Sequence, residues 1–428
     1  MRADGWIARR PAIDIAAGRA RFVVVAKAVV RPRLTRFRTR LTETGSGIRP
    51  VAGMRRATNR TTRLGTPMGF PQDAGRPLIE LASVPDHTSR AFVRLTRRAR
   101  AAGAVVLGER VSAGAATAVG MMAERGVPLV APTLDPQLRS ALGPALARVI
   151  ERPPHDPHDA HERERHSIAV RRAARAGTAT VPTVSVLLAS RRPADLPAAV
   201  AMVRAQRGCS LQLCVGLHGD AWPDDAESVV SAAFGGELVV ERFADTVDLG
   251  TMLDTLGRRA DGQFVTKWDD DDHYGADHVA DLVAALGYAE AELVGKAAEF
   301  VHLETLDTTI RRYAIGAETY STTLAGGTLL LRTDTLRDIG GWPAAPQRVD
   351  GLLIDAVLRA GGSSYRTHGF QFVLRRRRPS ATLGHTWPAS DEYFLREAVD
   401  QRPGLALGFA DIVEPIGTGG PEPEAIIR

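Results

Sequence analysis

Phe264-Val265-Thr266-Lys267-Trp268-Asp269-Asp270-Asp271-Asp272-His273-Tyr274 decides how the rest of the chain is read. A short apolar run ends in four consecutive aspartates. The turn signal Asp261-Gly262 precedes it, and the run is too short for a helix, so the pattern predicts a buried strand. Four carboxylates cannot enter a core without partners, because burying an unpaired charge costs several kcal/mol. They belong where the strand leaves its sheet, in water or around a cation. Carboxylate oxygens are hard ligands of the kind Mg2+ and Mn2+ prefer, and these ions are commonly held by one or two carboxylates plus substrate phosphates. The expectation is a divalent-cation site at a strand end, shaped for a diphosphate. The plain alternative is a solvated acidic turn that caps a helix starting near Ala276.

At 428 residues the chain has room for two or three domains. It is rich in Ala, Gly and Arg, poor in aromatics, and carries a formal net charge of +6 that is unevenly spread. Residues 1–75 hold Arg31, Arg33, Arg36, Arg38 and Arg40 with few acids beside them and no sustained period, which predicts a basic, poorly ordered arm. Such an arm suits anionic lipid headgroups or nucleic acid. With almost no aromatic residues interleaved, specific nucleic-acid recognition is not expected. Cys209 and Cys214 are the only cysteines and read as reduced core residues of a cytoplasmic protein. No apolar run approaches the ~18 residues that span a bilayer. Residues 22–30 are interrupted by Lys27 and lack the pattern of a signal peptide. Membrane association through the basic arm stays open.

From 76 to 152, short apolar runs alternate with helical periods and predict a small α/β unit. Residues 153–180 are dense in charge. His155, His158, His161 and His166 match no metal-ligand spacing, and Pro153, Pro154 and Pro157 break any helical face, so this stretch reads as a solvated linker entering a charged helix over 160–175. From 181 to 400 the order strand, helix, strand, helix repeats up to the aspartate run. Val184-Ser185-Val186-Leu187-Leu188-Ala189-Ser190 is near-continuously apolar, as a parallel strand buried on both faces must be. The fold class is therefore α/β, with a doubly wound, mostly parallel sheet in the larger unit and a tail over 401–428. Ligands of such sheets bind outside the carboxyl ends of the strands. Ser190, Arg191, His218, Asp220 and Asp269 to Asp272 all fall at those ends.

Several ordered pieces resemble one family. The strand ending at Ser190, then Ala260-Asp261-Gly262, then Asp269 and Asp271 as the acids of an Asp-x-Asp motif with Asp272 beside them, are the first. Ala325-Gly326-Gly327-Thr328-Leu329-Leu330-Leu331-Arg332, Leu336-Arg337-Asp338-Ile339-Gly340-Gly341-Trp342, Asp350 ahead of a helix, and His385 in Gly384-His385-Thr386-Trp387 complete the set. In this order, residues 182 to about 390 resemble a family 2 glycosyltransferase of the GT-A fold. Separately, 123–132 and the helix after it resemble the closing part of the C-terminal half of glycosyltransferases built from two Rossmann-like halves. Departures stand in three places. His218 replaces the second acid usual after strand two, Val349 replaces the glutamate before Asp350, and Asp254 stands near the position of a usual asparagine.

The resemblance implies a metal-dependent transfer of a sugar from a nucleotide-sugar donor, UDP-linked by family frequency, to an acceptor hydroxyl, with inversion by one direct displacement. Asp269, Asp271 and His385 would hold Mn2+ or Mg2+. Asp350 would take the acceptor's proton. Ser190, Arg191, His218, Asp220, Asp254, Asp269 and Asp270 would line the donor, and a glycan, cell-envelope or lipid-linked acceptor fits the family. Plainer roles compete with these. Asp350 suits a helix N-cap, His385 a structural histidine, Trp268 the core, and Arg375 to Arg378 either a phosphate partner or a solvated strand edge. Tyr313, Tyr320 and Trp387 are candidates to stack on a sugar. The alternatives for the whole chain are a nucleotidyltransferase acting on a sugar phosphate, disfavoured because Ser190-Arg191-Arg192-Pro193 lacks glycine, and a non-catalytic sugar-binding or scaffold module of the same fold.

Overall fold

The computed structural model describes residues 78–412 apart from 100–101, 103, 155, 157–158, 177–179, 313–315 and 379–388. The basic arm, His155, His158, Tyr313, His385, Trp387 and the tail beyond 412 lie outside the described residues.

The first unit runs β1 (Leu78–Leu81), α1 (Arg90–Ala99), β2 (Ala104–Leu107), α2 (Ala116–Glu124), β3 (Leu129–Val130), α3 (Pro136–Leu142) and α4 (Pro144–Ile150). Its strands pair in parallel in the order β1-β2-β3 over a core built on Val105, Leu107, Met122 and Leu129. The one helix expected after residue 132 is two. Gly143 takes φ 78, and Pro144 offers no N–H to continue the first helix but suits the first turn of the second.

Helix α5 (Ala160–Arg175) joins this unit to the larger one. The solvated charged stretch expected here is corrected for the helix itself. Arg163, Glu164, His166, Ser167 and Arg171 are buried. One side of α5 serves the first unit, where His166 Nε2 lies 2.7 Å from the Leu129 carbonyl and Ser167 Oγ donates to the Gly126 carbonyl at 2.7 Å. The other side enters the second unit. Arg171 donates to Glu318 at 2.7 Å, Arg172 reaches Asp277 and Asp281 at 2.8 Å each, and Glu164 pairs with Arg311. Charged residues in a helix with no apolar stripe read as solvated only until the partners across the interface are known.

The second unit continues β4 (Thr183–Ser190), α6 (Leu196–Arg204), β5 (Ser210–His218), α7 (Ala226–Phe234), β6 (Glu237–Phe243), α8 (Leu249–Arg258), β7 (Phe264–Trp268), β8 (His273–Tyr274) and α9 (His278–Ala289). Then come β9 (Leu293–Gly295), β10 (Phe300–Leu303), β11 (Thr308–Arg312), β12 (Thr319–Tyr320), β13 (Leu330–Arg332), α10 (Thr333–Asp338), α11 (Val349–Arg359), β14 (Ser364–Arg366), β15 (Phe372–Arg376), α12 (Asp391–Leu395) and β16 (Ala398–Pro403). Eight strands form the main sheet in the order β12-β14-β9-β13-β7-β4-β5-β6, with β7, β4, β5 and β6 all parallel. Val184, Val186 and Leu188 pack under α6, α7 and α9, while Leu187 faces α8 and α11. Both faces are covered, which is why β4 reads as unbroken apolar sequence. The chain builds outward from β4 through β5 to β6, then returns to lay β7 on the other side of β4. The β4–β7 boundary is the topological switch point where open α/β sheets bind ligands.

A second sheet, β16-β11-β10-β15-β8, was not expected from the sequence. Asp269 to Asp272 are the link by which the chain leaves β7 in the main sheet and enters β8 in the second. The acids therefore lie at a seam between sheets. Asp270 and Asp272 are buried, so a solvated acidic turn does not describe them.

Two outcomes follow for stability. Arg171 and Glu318 are both buried, and Glu318 also accepts from the Tyr288 and Tyr365 hydroxyls. Arg171→Met is expected to cost about 3–5 kcal/mol by stranding a buried carboxylate, and Arg171→Met with Glu318→Gln should recover most of the loss in urea denaturation. Burial, with Arg311 alongside, lowers His161 to about 3; burial, with Lys296 alongside, lowers His368 to about 4. A depressed histidine stays neutral in the fold while the unfolded chain takes up a proton near its ordinary 6.5, so this stability is complete above that pH and is lost as pH falls toward 4. Buried acids such as Glu164 and Asp271, held above the usual range, work in the opposite sense, so the check is a comparison: between pH 7 and 4 the melting temperature of His368→Asn should fall less than that of the wild type, and parallel profiles would contradict it.

Candidate functional site

The crevice at the switch point is assembled from four segments. The end of β4 supplies Ser190, whose hydroxyl donates to Asp270 Oδ2 at 2.5 Å across the switch point. The next turn supplies Arg192, which pairs with Asp270 and lies 3.1 Å from Asp271 Oδ2. The end of β7 supplies the four aspartates. The segment beyond β15 supplies Arg377, 2.7 Å from Asp195 and 3.8 Å from Asp271 Oδ2.

Lys267 sits beneath them. In a strand, residues two apart share a face, so Lys267 points to the same side as Asp269. Its ammonium lies 2.8 Å from Asp269 Oδ1 and 3.2 Å from Asp350 Oδ1, with the side chain only 4% exposed. Burial works to strip its proton, but Asp269 and Asp350 together hold Lys267 above the ordinary lysine range. Asp350 is the second residue of α11, behind Arg348 at φ 58 and Val349, so it is not the N-cap. Its side chain is 32% exposed, yet Oδ1 is occluded and, among the described residues, has no hydrogen bond of good geometry. Recessing raises its pKa against the pull of Lys267.

The wall opposite is backbone. A Cβ on Gly326 would overlap the Asp350 carboxylate, and one on Gly327 would lie 2.6 Å from the Tyr274 hydroxyl and 2.8 Å from Asp269 Oδ2. Tyr274 in turn accepts the Asp269 N–H at 2.9 Å and stacks on Trp268 at 3.8 Å. Trp268 is thus core, as expected. Lys267, Asp269, Tyr274 and Asp350 are set against one another with glycine as the only residue that fits between.

Other expected residues lie elsewhere. Arg191 is exposed and turns toward Asp245, 3.8 Å away on the rim beyond β6; its neighbour Arg192 is the one that meets the acids. His218 is half-buried at the end of β5 with Nε2 unpartnered among the described residues, and Asp220 is exposed beside it. Asp254 does not join the crevice: it accepts from the Trp342 N–H at 3.1 Å and pairs with Arg258, supporting the Gly340-Gly341 turn. Tyr320 donates its hydroxyl to Ala289 and packs edge-on against Tyr365. Arg375 is taken by Glu304. Lys267, Arg192 and Tyr274 were missed. Only Lys267 carried a signal, a lysine at strand spacing from an acid inside an otherwise apolar run.

No protein-family model matches this sequence, and no curated protein does. Among solved structures, the mannosyltransferase PcManGT from Pyrobaculum calidifontis, in complex with GDP-Man and Mn2+, is similar over 48% of this chain and 59% of its own, at 16% identity and a TM-score of 0.37. S. aureus TarS 1-349 in complex with UDP-GlcNAc is similar over 50% of this chain and 64% of its own, at 13% identity and a TM-score of 0.37. Each match spans less than two thirds of the other chain, and likenesses this distant carry no argument about chemistry.

Among the described residues no group of three or more His, Cys, Asp or Glu side chains is placed to enclose a metal ion. Asp269, 38% exposed, and Asp271, 12% exposed, are the two carboxylates of the aspartate run that are not buried. A cation that keeps waters and takes phosphate oxygens needs no more than two. The donor set fits an ion carried in with a diphosphate, not one caged by protein alone. Burial pushes Asp271 up to about 6, against the pull of Arg192, and raises Asp270 and Asp272 as well. This surplus of buried carboxylate is what an incoming cation would relieve.

The seating of Asp350 is open to measurement. Gly326→Ala is expected to cost about 1–3 kcal/mol by overpacking the carboxylate. Gly351→Ala, next to Asp350 in α11 with nothing within 4 Å of an added Cβ, should gain about 0.5–1 kcal/mol. Equal stabilities in urea would show that Asp350 is not held against that loop.

Proposed function

We propose that this chain is a metal-dependent glycosyltransferase of the GT-A type, in family 2, with its catalytic unit over about 181–400. The observation that carries the reading is the Lys267 bridge. It sets an acid able to meet a cation–diphosphate, Asp269, and a recessed carboxylate, Asp350, against one ammonium at the switch point of a parallel sheet.

The donor is a nucleotide sugar with its diphosphate over Asp269 and Asp271. A divalent cation bound there supplies Lewis-acid stabilisation of the charge that develops on the leaving diphosphate. Asp350 accepts the proton of the acceptor hydroxyl as its oxygen bonds to the anomeric carbon, and the bond from that carbon to the diphosphate oxygen breaks. Attack opposite the leaving group inverts the anomeric centre. Burial raises the pKa of Asp350, and a carboxylate so raised is a stronger base than an exposed aspartate. Lys267 keeps Asp350 ionised and aimed. Val349, where the family carries a glutamate, is buried in the core under α11. The acceptor is a glycan, envelope polymer or lipid-linked sugar. Among the described residues no helix is long and apolar enough to cross a membrane.

The reading is tested by a thermal-shift panel of UDP, GDP, ADP and dTDP with and without Mn2+. One nucleotide should stabilise the protein in a metal-dependent way, and Asp271→Asn should remove that dependence. Asp350→Asn should keep the shift and lose about 10²–10⁴-fold in release of the nucleotide from its sugar donor. A folded protein that answers to none of the four with Mn2+ overturns the reading.

A further inference from the structure

Two guanidinium groups converge on the carboxylate proposed to meet the cation. Arg192 Nη1 lies 3.1 Å from Asp271 Oδ2, and Arg377 Nε lies 3.8 Å from the same oxygen. Both side chains are largely buried, at 16% and 22% exposed. Each also has a nearer carboxylate that anchors it: Arg192 pairs with Asp270, and Arg377 lies 2.7 Å from Asp195. Neither lies within a strand or helix. Each ends in the crevice, on a different segment.

We propose that Arg192 and Arg377 bind the diphosphate and that Asp271 holds them in readiness, so that cation and diphosphate each favour the other's entry. This deepens the glycosyltransferase reading and rests on it. A bare divalent cation at Asp271 would stand beside two positive guanidinium groups. A bare diphosphate would face Asp269 and Asp271. When both arrive, Asp271 exchanges its arginines for the cation, and the arginines exchange Asp271 for phosphate oxygens, which the planar fork of a guanidinium matches in a bidentate way. No charge is left without a counterpart at either stage. Arg191 takes no part, since it points to Asp245.

The test is titration calorimetry of the full chain with Mn2+ alone, with UDP, GDP, ADP and dTDP alone, and with each nucleotide at saturating Mn2+. In the wild type, Mn2+ and the preferred nucleotide should strengthen each other by about tenfold or more, a coupling that must be reciprocal. Arg377→Gln should tighten bare Mn2+ and weaken the nucleotide at saturating Mn2+, each by about three- to tenfold, collapsing that coupling. Arg377→Lys keeps the charge without the fork, so bare Mn2+ should bind as in wild type while the nucleotide recovers in part. Arg192→Gln should act in the same sense, with folding checked by circular dichroism; Arg377, the more exposed of the two, decides the matter if Arg192→Gln does not fold. Opposite-signed changes support the exchange, because a merely structural arginine would move both affinities the same way or neither. Unchanged affinities, or a joint loss, overturn it while leaving the glycosyltransferase reading intact. Failure of the wild type to bind any of the four nucleotides overturns both.

Discussion

One buried ammonium organises the crevice. Lys267 lies inside a central strand, between β13 and β4, where an unpaired charge would be untenable. It is tolerable there because Asp269 and Asp350 both reach it. That requirement reaches outward through the fold. β7 must end where it does, so that Asp269 follows on the same face. The first turn of α11 must deliver Asp350 from the far side. The loop before β13 must contain no side chain at Gly326 or Gly327, since either would occupy the space of a carboxylate. Three distant segments are thereby brought into register by one charge.

The acids beyond Lys267 are placed by a different constraint. The chain has to pass from the main sheet to the second, and it does so in four residues. Each aspartate then finds its own partner: Lys267 for Asp269, Ser190 and Arg192 for Asp270, Arg192 and Arg377 for Asp271, and the Arg375 N–H for Asp272. Helix α5 follows the same logic on a larger scale. Its buried pairs with Glu318, Asp277, Asp281 and Arg311 add little net stability over apolar packing. They penalise every other docking of the first unit, because a misplaced α5 leaves charges buried without partners.

Much of this was legible in the chain. The unbroken apolar run of β4 announced a strand covered on both faces, and the aspartates announced a strand end with work to do. Lys267 was also visible in principle, two residues from Asp269 in a period-two element. The second sheet was not, because its strands β8, β10, β11, β15 and β16 are two to six residues long and mix Thr, His, Arg and Asp with apolar residues without a clear alternation. Arg191 and Arg192 are indistinguishable in sequence; the turn after β4 sends one to the rim and the other to the acids. Asp254, read as a donor residue by its position, is drawn instead to the Trp342 N–H.

By itself, then, the order of residues determined the parallel α/β core and the strand ends at which polar side chains gather. Periodicity and burial are local consequences of composition, and they follow from a few residues at a time. Which acids meet which cations was decided only in three dimensions. An ion pair such as Lys267 with Asp350 joins positions 83 apart in the chain, and its partners are chosen by the packing of sheet, helix and loop around it. No spacing along the chain encodes that choice.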